Sequence, residues 1–112
     1  MGRSISKGDI PMLVMAVLAE APSHGYAIAR EIERRSGQGL GIKEGTLYPA
    51  LRVLEQNQLI AGEWDTAGSG PARKVYRLTA DGHRELEKAR QSWREYTQAF
   101  NQILGGNDAK PA

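Results

Sequence analysis

The most restrictive stretch of this chain runs from Gly45 to Leu78, because it dictates a helix, a strand, a turn and a second strand in that order. Leu47, Leu51 and Leu54 recur at steps of four and three, the spacing that stacks side chains on one side of a helix. That stripe assigns Lys43, Thr46, Tyr48, Pro49 and Arg52 to the other faces. Ile60 to Asp65 and Lys74 to Leu78 read as short strands, with Trp64, Val75 and Tyr76 supplying strand propensity. The loop between them, 66–73, holds Gly68, Gly70 and Pro71 and is longer than a tight hairpin needs.

Two helices are predicted ahead of this unit. The first follows Asp9, with Pro11 in the first turn, where backbone donors have no partner inside the helix. Its core face is Ile10, Leu13, Val14, Val17, Leu18 and Ala21, and Met12 and Met15 lie off that stripe, facing either a partner subunit or solvent. Pro22 breaks the pattern, and Ser23 is placed to cap a second helix from His24 to about Ser36, with Tyr26, Ile28, Ala29 and Ile32 as its apolar members. Gly37, Gly39 and Gly41 end it. They do not make a dinucleotide fingerprint, which requires a strand ahead of the glycines and a further glycine where Ile42 and Glu44 stand. The third helix starts between Lys43 and Thr46 and runs to Gln56 or Asn57, with Asn57 as a left-handed terminator.

Thr79 reads as the N-cap of a last helix, with Asp81 in its first turn, running to about Leu104 before Gly105-Gly106 stops it. Leu86, Ala89, Trp93, Tyr96, Phe100 and Ile103 alternate steps of three and four, a coiled-coil seam of about two and a half heptads. The expected fold is therefore mainly α with a small β-hairpin: a winged helix-turn-helix over 8–79, a dimerisation helix over 80–104 and a disordered tail over 105–112.

Composition narrows the function by exclusion. At 112 residues, 40% hydrophobic and 25% charged, the chain suits one soluble globular domain with an added element. The longest apolar run, Ile10 to Ala19, is half the roughly 20 residues of a membrane span, so a cytoplasmic protein without a membrane segment is expected. With no cysteine there is no disulfide, thiolate nucleophile or cysteine zinc site. The histidines, His24 and His83, lack metal-ligand spacing, and no serine sits in a nucleophile elbow. No metal, cofactor or catalytic residue is therefore expected, and no enzymatic activity.

A net charge of +2 permits nucleic-acid binding without arguing for it, so the location of charge decides more. Lys43 and Arg52 bracket the third helix, and Arg73, Lys74 and Arg77 fall on the hairpin, while the segment after Thr79 is neutral. A short helix with polar groups on one side and a basic hairpin beside it fits double-stranded DNA. Arg52 and Lys43 would reach guanine edges or phosphates, unless theirs is an ordinary solvated face. Thr46 and Tyr48 either bond phosphate or cap and pack. Of Arg73 and Lys74, adjacent at the exit of the loop, at least one should face a phosphate. Ser23 and His24 open the second helix, whose free donors could hold a phosphate oxygen, or His24 is structural. Trp93, Tyr96 and Phe100 pack a dimer interface, and two copies of Trp93 could also leave an apolar slot for a flat ligand.

These residues give the chain a family likeness. His24-Gly25-Tyr26, the run from Gly45 through Leu51, Leu54-Glu55, Leu59-Ile60, Trp64, the run from Arg73 to Tyr76, and Leu78-Thr79 with Gly82 resemble the PadR family of bacterial transcription regulators, in its short form with one C-terminal helix. The resemblance implies a homodimer whose third helix enters the major groove of a near-palindromic operator, whose wing touches the backbone and whose last helix pairs the subunits. It also implies repression relieved by a small aromatic effector. The chain departs from the family pattern at Gly68 to Ala72, a neutral wing tip where basic residues are common. The rival readings are a winged-helix protein-interaction module and a small-molecule sensor that does not bind DNA.

Overall fold

The computed structural model describes residues 2–105. Met1 and residues 106–112, which include all but the first residue of the expected disordered tail, lie outside the described residues. The elements in order are β1 (Arg3–Ser4), a 3-10 turn (Lys7–Asp9), α1 (Ile10–Leu18), β2 (Ser23–His24), α2 (Gly25–Arg35), β3 (Leu40–Gly41), α3 (Glu44–Gln56), β4 (Ile60–Asp65), β5 (Arg73–Leu78) and α4 (Ala80–Leu104). β4 and β5 form an antiparallel hairpin, β2 adds to the other edge of β5, and β1 pairs in parallel with β3.

The core gathers the predicted stripes of three helices. Ile10, Val14, Val17 and Leu18 from α1, Ile28 and Ile32 from α2, and Leu47, Leu51 and Leu54 from α3 are buried against Ile60, Tyr76 and Leu78 of the hairpin. Met15 corrects the sequence reading: it is 3% exposed, because α1 is wrapped by α2, α3, α4 and β5 and buries more than one face. Ala21 lies beyond the end of α1 and is exposed. Tyr26, grouped with the apolar residues of α2, is 58% exposed.

The helix ends show where local chemistry departed from expectation. Ser23 does not cap α2. It is paired in β2 with Tyr76, and His24 occupies the cap position without a side-chain cap bond. Asn57 does not turn left-handed at the end of α3; Gln58 does, with φ 60°. The Gln58 N–H bonds to the Glu55 carbonyl and the Leu59 N–H to the Leu54 carbonyl, each at 3.0 Å, the Schellman pairing that closes a helix. Leu59 thereby folds back toward α3 and leads into β4, whose first residue, Ile60, is buried in the core.

Thr79 caps α4 as predicted. Its Oγ1 accepts from the Gly82 N–H at 2.9 Å and shares its one proton between the backbone carbonyls of Gln58, at 2.8 Å, and Leu59, at 3.0 Å, in the turn that joins α3 to β4. A Cβ at Gly82 would collide with the Leu59 carbonyl, so the helix start and the entry to the wing are locked together. Thr79→Ala removes both the cap and the cross-link, and is expected to lower stability by about 1–2 kcal/mol. A urea midpoint equal to that of the native chain would reject this role.

α4 then leaves the core. The Cα radius of gyration is 15.9 Å, against about 13 Å for a compact chain of this length, and the long dimension reaches 57 Å. Gly105 closes α4 in the left-handed conformation at φ 78°.

Candidate nucleic-acid interface

α3 is a helix with its apolar side spent. With Leu47, Leu51 and Leu54 buried, helical geometry turns Gly45, Pro49, Arg52 and Gln56 outward, and all four are exposed. Lys43 is the N-cap and is exposed at the helix start. Thr46 is partly buried and lies to one side, beside Ala50 and Val53. Pro49 sits inside the helix, where it supplies no N–H to the Gly45 carbonyl four residues back. The position is exposed, so solvent or a ligand can take up that carbonyl. Arg52 makes no ion pair among the described residues, which leaves its guanidinium free.

Tyr48 packs as well as faces outward. It is 38% exposed, yet its ring lies against Gly25, where an added Cβ would come within 2.7 Å of the hydroxyl oxygen. The glycine after His24 is thus a close-approach site joining α2 to α3. His24 Nε2 is buried with no hydrogen-bond partner among the described residues, so as placed the imidazole is a packing group. What this end of α2 offers a phosphate is its backbone N–H groups, left without a side-chain cap.

The two adjacent cations at the exit of the wing loop divide. Arg73 is exposed, whereas Lys74 turns inward to an ion pair with Glu55 of α3 at 3.0 Å. Glu55 holds the Lys74 ammonium above its ordinary range, and burial pushes the neighbouring Tyr76 hydroxyl up. The Lys74 Nζ lies 5.8 Å from the Trp64 ring and 5.6 Å from that of Tyr76. Gly62 makes room for this stem, since a Cβ there would meet the Lys74 Cε at 2.5 Å. Lys74 is a strut fixing the wing to α3. Lys74→Gln should therefore weaken DNA binding while leaving its salt dependence unchanged, as measured by titration across salt concentrations, whereas loss of a phosphate contact would lower the slope.

Past Ala89, α4 carries the aromatic seam. Trp93, Tyr96, Phe100 and Ile103 are 43%, 56%, 47% and 83% exposed, with ring centroids 6.0 Å apart for Trp93–Tyr96 and 4.7 Å apart for Tyr96–Phe100. Leu86 corrects the seam assignment. It is 1% exposed within the core of its own chain, so the apolar line opens toward solvent only from the partly buried Ala89 onward. Trp64, read only as a strand former, is 65% exposed at the base of the wing. The pleat puts it on the side of Ile60, but β4 has by then passed the end of the core.

A helix with a free polar face beside a hairpin, both seated on a helical core, defines a winged helix-turn-helix protein of the DNA-binding class. Residues 14–88 match the PadR-like family of transcriptional regulators. The chain is 30% identical over 104 residues to a transcriptional regulator of Mycobacterium tuberculosis, covering 93% of this chain and 91% of that protein. It is 36% identical to a PadR family transcription regulator from Clostridium difficile R20291, whose crystal structure superposes with a TM-score of 0.77 over 87% of this chain and 99% of that one. A PadR family regulator from Eggerthella lenta is 35% identical, with a TM-score of 0.78 over 90% and 86% of the two chains. The chain belongs to the PadR-like family of transcriptional regulators and is a DNA-binding, non-enzymatic protein. No helix among the described residues is long and apolar enough to cross a membrane.

Proposed function

We propose that the chain acts as a homodimeric, sequence-specific repressor, with α3 in the major groove of each half of a near-palindromic operator and α4 pairing the subunits. The observation that carries this reading is the outward face of α3, where Gly45, Pro49, Arg52 and Gln56 are all exposed and Arg52 has no ion-pair partner among the described residues. Such a face can approach base edges closely, and an arginine can fork onto guanine there. Lys43 and Arg73 stand to either side as phosphate contacts. The exposed aromatic line from Trp93 to Ile103 supports pairing through α4, because large contiguous apolar surface on a protein mostly marks an interface. Two-fold pairing sets the recognition helices about one turn of DNA apart, or a multiple of it.

Within this reading, a flat aromatic effector enters the slot between paired Trp93 side chains. It releases DNA by as much as it prefers one dimer geometry over the other. A mobility-shift titration on the duplex upstream of the protein's own gene tests the DNA arm. Binding should be present at low salt and fall steeply as salt rises, since each neutralised phosphate releases counterions. Absence of binding at low salt, or indifference to salt, would sink it.

A further inference from the structure

Between the first turn of α1 and the flank of α3 lies a cleft of about 480 Å³, within the roughly 300–1,000 Å³ usual for small-molecule sites. Core residues floor it: Ile10, Met15 and Leu54 are at most 3% exposed. Pro11, Ala50 and Val53 line it higher up, and Val53 is 53% exposed, an aliphatic side chain left uncovered beside the core. Among the described residues the lining holds no aromatic ring and two charged groups, Lys7 in the turn ahead of α1 and Glu85 on α4.

Neither charge is firmly engaged within the chain. Lys7 makes no ion pair among the described residues, and the partner of Glu85 is the exposed Lys88, three residues on, at 3.8 Å. So long a contact between solvent-exposed groups contributes little. Lys7 and Glu85 do not pair with each other, so opposite charges stand apart at the rim of an aliphatic hollow.

We propose that this cleft binds a free α-amino acid with an aliphatic side chain, of the leucine class. Its carboxylate meets Lys7, its ammonium meets Glu85 and its side chain lies between α1 and α3. The site is formed within one protomer and rests on neither the DNA reading nor the pairing of subunits.

The two charges select this class. A ligand with a carboxylate alone would meet Lys7 but bring its charge toward Glu85, and one with an amine alone would meet the reverse. A zwitterion answers both. The lining of isoleucine, leucine, valine, proline and methionine suits a branched aliphatic chain, whereas a flat ring finds no ring to stack on. In this it differs from the cleft beside Trp93, which Met12, Leu13 and Leu86 also line. Gly45 and Pro49 border the first cleft and belong to the outward face of α3, so the bound amino acid lies next to the surface offered to DNA.

The experiment uses the whole chain with methyl-labelled methionine, because Met15 reports on this cleft and Met12 on the one beside Trp93. Their resonances are identified by their loss in Met15→Leu and Met12→Leu, exchanges that nearly conserve volume. Leucine titrated through the millimolar range should shift the Met15 resonance well beyond that of Met12. It should bind about fivefold more tightly than isoamylamine, which lacks the carboxylate, and than isocaproate, which lacks the amine, the upper end for one ion pair at an exposed rim. Lys7→Gln should erase the first preference and Glu85→Gln the second.

An unmoved Met15 resonance overturns the proposal, and so does a Met12 shift as large as that of Met15, which would put the ligand beside Trp93. Equal binding of the three ligands by the native chain overturns it too, as do preferences that survive Lys7→Gln and Glu85→Gln. Failure of the chain to bind its operator leaves all of these outcomes unchanged, and sinks the DNA reading alone.

Discussion

Arg52→Ala is expected to weaken operator binding by about 1–3 kcal/mol for each half-site, the worth of a bidentate contact to a base. Two such contacts in a dimer lie about one turn of DNA apart, far enough for their losses to add. The effect should be specific to the operator. Lys43→Ala, by contrast, should weaken binding to all duplexes alike, because a phosphate carries no sequence. Arg52→Lys should not restore full affinity, since an ammonium cannot reproduce the planar fork of a guanidinium. Stability should stay within about 0.5 kcal/mol of the native chain, because Arg52 is exposed and makes no ion pair among the described residues. Titrations of the operator and of an unrelated duplex, alongside thermal unfolding, separate these outcomes. Equal affinity of native and Arg52→Ala protein would remove Arg52 from the interface.

The elements that carry this prediction could be read from sequence because their determinants are local. The steps among Leu47, Leu51 and Leu54 set the buried side of α3, and so its outward side, with no knowledge of what they pack against. Thr79 and Gly105 marked the ends of α4 because a cap and a left-handed stop each act within a turn. Met15 was misread for the opposite reason. Its burial depends on how many neighbours surround α1, which periodicity along one helix does not encode. The bridge of Arg3–Ser4 to Leu40–Gly41 was likewise invisible, since two-residue strands have too little pattern to detect.

The candidate site was legible in outline and not in its division of labour. Arg73 and Lys74 are equivalent cations in a list of residues. Only the alternation of β5 and the position of Glu55, 19 residues earlier, turn Lys74 inward and leave Arg73 out. Gly25 and Gly62 also owe their roles to contacts across the fold, with the Tyr48 ring and the Lys74 stem. Leu86 fitted the heptad of α4 as well as Trp93 did. The difference is that α4 still lies against the core at Leu86 and has left it by Trp93, where 43% of the residue is exposed. The apolar seam is thus two surfaces in sequence, one spent inside the protomer and one still open.

That division makes Trp93→Glu the sharpest test of pairing. Trp93 is half-exposed in the protomer, so a carboxylate there stays solvated in a single chain, and helical content and core packing should persist. In the proposed dimer the same carboxylate is forced between apolar side chains. An unpaired charge in such a place is costly enough to be tolerated only if the subunits part. Sedimentation should then report a folded monomer. Operator affinity should fall by about 10²–10⁴, because the second half-site is no longer bound at the high effective concentration that pairing provides. Trp93→Leu keeps the surface apolar and should retain the dimer. An intact Trp93→Glu dimer would place the subunit contact elsewhere, and a chain that unfolds with this substitution but not with Tyr96→Glu would make Trp93 a prop of the α1–α4 packing instead of a seam residue.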